Sequence, residues 1–154
     1  MVAVPHAHPA RPSTGLATHH APPLDLPFRF LATGVAMLVA LALLAPGLLP
    51  LLLENFADGR LVALVHANTL GVIAATIFGA SYQLLPVVLQ EPLASVRLGR
   101  LSWWLYGPGL LAMLAGLARG WPVLVAAGGS LLLGAVALYV TVAARTLASA
   151  RQRD

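Results

Sequence analysis

The sequence predicts an all-α integral membrane protein with four transmembrane helices, and three observations carry that prediction. Of its 154 residues, 59% are hydrophobic and 9% charged, where an average soluble domain has about 25% charged residues. The apolar residues lie in long runs, which sets the chain apart from a disordered one. Four of those runs approach or exceed the length of about 20 residues that a bilayer-crossing helix needs. Cysteine is absent, which excludes disulfides, thiolate metal sites and thiol catalysis together. The acidic residues Asp25, Glu54, Asp58, Glu91 and Asp154 are too scattered for a carboxylate active site.

Residues 1–27 hold Pro5, Pro9, Pro12, Pro22, Pro23 and Pro27, together with four of the five histidines. Proline at that density opposes both helix and packed core, so the segment reads as a flexible, disordered tail. A transmembrane domain over 28–147 follows, with helices expected at about 30–53, 61–88, 101–118 and 121–144, and a polar cytoplasmic end at 148–154. Pro46, Gly47 and Pro50 mark the termination of the first helix or a kink in it. The second segment is long enough for its end near Pro86 to leave the hydrocarbon region, and the third is close to the short limit. ENFADGR (54–60) and RGWP (119–122) read as tight turns, with a longer loop at 91–100. Short links favour antiparallel neighbours, hence an up-down bundle.

Orientation follows from arginine. Four spans put the amino tail, the middle loop and the carboxyl end on one side, with Arg11, Arg29, Arg97, Arg100, Arg145, Arg151 and Arg153; Arg60 and Arg119 lie on the other. That bias places both termini in the cytoplasm of a bacterial-type inner membrane. Trp103, Trp104 and Tyr106 are then expected near the inner interface, and Phe56 and Trp121 near the outer one. Net charge is +4, but the arginines form no stripe with interleaved aromatics, which argues against nucleic acid as a partner. The lipid bilayer, other membrane subunits or a second copy of the chain are the partners to expect.

His66 is the one histidine within the predicted membrane region. An ionisable side chain there is a functional candidate by default, and neutral imidazole ligates haem iron and other metals. The competing expectation is a structural histidine hydrogen-bonded to Asn68, Thr69 or a neighbouring helix. Ala63, Ala67, Gly71, Ala75 and Gly79 recur every four residues beside it, a ridge suited to close helix packing and, alternatively, to a flat cofactor. Thr76, Ser81, Tyr82 and Gln83 add polar character to this helix, yet no charged path for transport is visible. The tail histidines His6, His8, His19 and His20 have spacings that can hold copper, nickel or zinc loosely.

With RLVALVHANTLGVIAATIFGASYQLLP (60–86) as its matching residues, the stretch from Arg60 to Gly107 resembles the second transmembrane helix and following loop of the heme-copper oxidase subunit I superfamily, nearest to cbb-type oxidases and nitric oxide reductases. The likeness rests on His66 early in the helix, Asn68 two positions on, the small-residue ridge, Gly79-x-x-Tyr82 and the Leu-Leu-Pro exit; the pair Trp103–Trp104 adds to it. The resemblance implies that His66 is an axial ligand of a low-spin haem b serving electron transfer; from their positions beside it, Asn68 and Thr69 are expected to orient the ligand or a propionate, and Ala67, Gly71 and Ala75 to shape the wall. It covers about a third of the chain. The family's remaining haem and copper histidines lie on later helices, and no histidine follows His66 here. Oxygen or nitric oxide reduction therefore exceeds this chain alone. The expectation is either an amino-terminal portion of a longer oxidase-like protein, or a small descendant sharing its haem with a partner or between two His66 residues of a homodimer. A different class of function, an accessory or assembly membrane protein without cofactor, stands beside it.

Overall fold

The computed structural model describes residues 22–55 and 57–151, and all regular structure among them is helical. Helix α1 spans Asp25–Glu54. Helix α2 (Gly59–His66) runs without interruption into a π-helical segment, Ala67–Ala74, and then into α3 (Ala75–Leu89). Helices α4 (Val96–Arg119) and α5 (Pro122–Arg151) complete the chain. Counting α2, the π segment and α3 as one rod, four helices are long and apolar enough to cross a membrane.

Neighbouring rods run antiparallel. Gly79 of α3 lies against Pro27 and Leu31 of α1, while Gly71, eight residues earlier, lies against Met37 further along α1. Similarly, α2 begins beside Leu117 and α3 reaches Ser102 through Tyr82, so this rod descends α4. Helices α4 and α5 share the most extensive contact in the molecule, α1 packs on the π segment and α3, and α2 packs on α4. Large apolar side chains such as Leu43, Val123 and Leu133 point outward from the rods, a surface compatible with lipid.

Helix bounds depart from the expected ones at three places. The first helix begins at Asp25, not 30, and Pro22, Leu26 and Pro27 are buried, so the last residues assigned to the tail belong to the fold. Pro27 sits in the first turn, where a helix N–H has no intrahelical partner to lose. The third span starts at Val96 because Ser95 caps it, its hydroxyl accepting from the Leu98 N–H at 3.2 Å. The fourth continues to Arg151, beyond the apolar run: Thr146 is buried there while Arg145 and Arg151 stay exposed, as long cationic side chains can. Pro46 and Pro50 lie inside α1, which stays helical to Glu54. The expected histidine tail, Phe56 and the last three residues lie outside the described residues.

Five aromatic rings join the four rods at the centre. Phe78 of α3 stacks on Tyr139 of α5 with centroids 4.1 Å apart. Phe30 of α1 sits 5.6 Å from both Tyr82 and Tyr106. Such tilted and edge-on pairs add specific geometry to the apolar burial. Tyr106 was expected at an interface, yet it is 1% exposed and belongs to this core; Trp104 keeps its exposed position.

One end of the bundle, where α1 and α4 begin, is clamped by charge. Arg100 donates twice to the Asp25 carboxylate, at 3.0 Å for each bond. Arg29 reaches the same carboxylate at 3.7 Å and lies over the Trp103 ring at 5.1 Å. Nearby, the α3–α4 loop is tied to α5: Ala94 N–H donates to the Thr146 hydroxyl at 3.0 Å. Helix α3 closes with Gln90 left-handed at φ 53°, its N–H and that of Glu91 both turned to the Pro86 carbonyl.

The α4–α5 crossing is built on glycine. A methyl on Gly128 would collide with the Met113 backbone nitrogen and come within 2.6 Å of the Gly109 carbonyl, and one on Gly116 would lie 2.7 Å from the Val125 nitrogen. Gly120, left-handed at φ 67°, ends α4 and turns the chain into α5. Gly128→Ala is expected to destabilise the protein by about 1–3 kcal/mol, because backbone has to move to admit the methyl. Gly129→Ala meets nothing within 4 Å and is expected to be neutral or mildly stabilising. Unfolding titrations in mixed micelles, followed by circular dichroism, compare the two.

Candidate functional site

His66 is the last residue of α2, at the junction with the π segment. Its ring is partly buried, and its Nδ1 lies 2.8 Å from the Val62 carbonyl one turn earlier. A carbonyl only accepts, so Nδ1 is the donor, and in the neutral form of the ring that leaves the lone pair on Nε2. Histidines that ligate metals commonly have one nitrogen donating to a carbonyl or carboxylate and the other left for the metal.

The π segment that follows has a visible cause. In an α-helix, with about 3.6 residues per turn, positions four apart drift around the axis by about 40° at each step. A π-helix, bonded from i to i+5, has wider turns and drifts the opposite way. Placing Ala67–Ala74 in a π-helix between two α-helices therefore keeps a strict four-residue ridge on one face. Ala63, Ala67, Gly71, Ala75 and Gly79 are all buried. Hydroxyls engage carbonyls in and beside the segment: Thr69 donates to Val65 at 3.0 Å, Thr76 to Val72 at 2.7 Å, and Tyr106, from α4, to Leu70 at 2.5 Å. Such bonds loosen the α-helical pattern locally. The Ala75 N–H is shared between Leu70, five residues back, and Val72.

The ridge is filled by α1. A methyl on Gly71 would lie 2.7 Å from Met37 Cγ, and one on Gly79 would lie 2.9 Å from both Leu31 Cγ and the Pro27 carbonyl. This is the packing use of the ridge, and it leaves no flat slot at Gly71. Asn68 and Thr69, expected to orient a ligand, are both exposed. The Thr69 hydroxyl bonds to backbone carbonyls, at 3.0 Å to Val65 and 3.5 Å to His66, and the imidazole's one hydrogen bond among the described residues goes to Val62. The imidazole of His66 is therefore hydrogen-bonded to Val62, and not to Asn68 or Thr69, which were the partners expected for it. His6, His8, His19 and His20 lie outside the described residues. Among the described residues no group of three or more histidine, cysteine or acidic side chains could hold a metal ion.

Other polar groups on the rod are structural. The Tyr82 hydroxyl lies 2.9 Å from that of Ser102, which donates onward to the Gly99 carbonyl at 2.8 Å. Gln83 Oε1 is buried without a hydrogen-bond partner among the described residues.

A haem ligated by Nε2 would have one competent axial ligand from the described part of this chain. Val65, Asn68, Thr69 and Ile73, around His66 on the same rod, are exposed, so that side is open among the described residues. No family model, curated protein or solved structure matches this sequence.

The Tyr106–Leu70 hydrogen bond gives the π segment a direct test. Tyr106→Phe removes the hydroxyl from a part-buried carbonyl and is expected to cost about 1–2 kcal/mol, with faster amide exchange at Ala74 and Ala75. Tyr139→Phe, whose hydroxyl has no hydrogen bond among the described residues, is expected to change neither. Hydrogen exchange by mass spectrometry on both variants reads the difference.

Proposed function

We propose that this chain is a multi-pass membrane protein of the heme-copper oxidase subunit I type, which presents His66 as one axial ligand of a haem b and is incomplete as an oxidase by itself. The observation that carries the reading is the 2.8 Å contact between His66 Nδ1 and the Val62 carbonyl, which keeps Nε2 free to ligate. It joins the resemblance of residues 60–86 and the rule that an ionisable side chain in a membrane segment is there for function. When bound, the haem supplies the redox chemistry. This chain's part is to hold the imidazole in one tautomer and orientation.

The second axial ligand then comes from another chain, either a partner membrane subunit or the His66 of a second copy. In this reading the four helices cross a bacterial-type inner membrane up and down. The arginine-rich end that holds Arg29, Arg97, Arg100, Arg145 and Arg151 faces the cytoplasm. A second reading, an accessory or assembly membrane protein without cofactor, is favoured by one observation: α1 already fills the ridge at Gly71 and Gly79.

A reduced-minus-oxidised absorption spectrum of the detergent-purified protein, expressed with haem supplied, separates the two. The expected outcome is a b-type signal that His66→Ala abolishes and that Asn68→Ala and Thr69→Ala leave in place, since neither side chain hydrogen-bonds to the ring. A folded protein with no haem signal, alone and co-expressed with its neighbouring membrane subunits, would favour the accessory reading and sink the haem one.

A further inference from the structure

A cleft of about 540 Å³ opens between α1, α2 and α4. Its wall is apolar, with Leu41 and Leu44 from α1, Leu64 from α2, and Leu111, Leu114 and Ala118 from α4. Small side chains create the space: Ala40, Ala63, Ala67 and Ala115 stand where larger ones would close it. The wall runs from Leu48 to Met37 on α1 and from Arg119 to Leu111 on α4, a length of about 12–16 Å along the helices. Its two charged residues, Arg60 and Arg119, come from adjacent rods at the same end of the bundle. Both are exposed, and among the described residues neither joins an ion pair. The Arg119 guanidinium lies over the Trp121 ring at 5.3 Å, an aromatic suited to the headgroup level of a bilayer.

We infer that this cleft binds one anionic phospholipid, with an acyl chain between α1, α2 and α4 and the phosphate held by Arg60 and Arg119. A recess of this size within membrane-crossing helices is filled by the surrounding hydrocarbon. Both arginines lack an acidic partner among the described residues, and planar guanidinium matches phosphate oxygens in pairs. A zwitterionic headgroup offers the same phosphate offset by its own cation, so the cleft selects net negative charge. His66 does not line this cleft, and the inference stands independently of the haem proposal.

Native mass spectrometry of the full chain, released from micelles holding equal amounts of phosphatidylglycerol and phosphatidylcholine with the same acyl chains, tests it. The wild type is expected to retain one phosphatidylglycerol with a preference of about thirtyfold, the scale set by two arginines near an anionic surface. Arg60→Gln/Arg119→Gln, at exposed positions, should keep its helicity by circular dichroism and lose the preference. Ala118→Phe, which fills the exposed rim of the cleft, should lose bound lipid of both kinds. Equal retention of the two lipids by the wild type, or an unchanged preference in the double arginine variant, would overturn the inference. So would a wild-type dimer that Ala118→Phe converts to monomer, because the occupant would then be a second copy. A haem-mass adduct that excludes lipid in the wild type and is lost in Ala118→Phe would overturn it as well.

Discussion

The structure depends on how closely α1 can approach the rod that follows it. Between helices in lipid there is little hydrophobic driving force, because acyl chains are as apolar as leucine; contact comes from small residues that let backbones close together. Here those residues recur every fourth position, a period that a pure α-helix would carry off the contact face within a few turns. The chain resolves the conflict with eight π-helical residues, Ala67–Ala74. Met37, Leu31 and Pro27 of α1 then meet Gly71 and Gly79 on one continuous face. Phe30 is thereby carried to the centre, where it touches Phe78, Tyr82 and Tyr106.

Much of this was legible in the residues. Four apolar runs gave four long helices, and the ridge from Ala63 to Gly79 is buried throughout, as a packing stripe should be. The same stripe held the signal for the π segment, because a strict repeat of four fits neither helix type alone, but reading it required weighing period against helix geometry. The start of α4 was also signalled, by Ser95 as a capping residue, and was hidden by the arginines that follow it. Proline density suggested a tail up to residue 27, whereas a first-turn proline such as Pro27 is at home in a helix. Tyr106 had no local signal. Its neighbours Trp103 and Trp104 belong near a boundary, and only the crossing of α4 with the π segment aims its hydroxyl at the Leu70 carbonyl.

The candidate site was half legible. His66 stands out by residue type and depth, and its bond to Val62 follows the i−4 spacing of any helix. Its supposed helpers, Asn68 and Thr69, were chosen for proximity in sequence. On a helix, however, the position two further along turns away from a given side chain, and Thr69, three along, spends its hydroxyl on the Val65 and His66 carbonyls. The cleft ending at Arg60 and Arg119 had no signal in any single segment, because three separate rods build it. The two ends of the bundle also differ in character. One is closed by the bidentate Arg100–Asp25 pair and the Trp103 stack, and the other carries cations with no acidic partner among the described residues.

The glycine crossing of α4 and α5 has a consequence for assembly. The most extensive contact in the molecule joins two helices separated by only Gly120 and Trp121. Its contacts are local in sequence, the kind that form fastest. A polypeptide leaving the ribosome would thus finish its carboxyl-terminal hairpin as one step soon after α5 is synthesised. Docking α1 against the π segment needs only the two rods made first. The protein falls into two early-forming hairpins whose later meeting, through Tyr106 on Leu70 and Phe78 on Tyr139, closes the bundle.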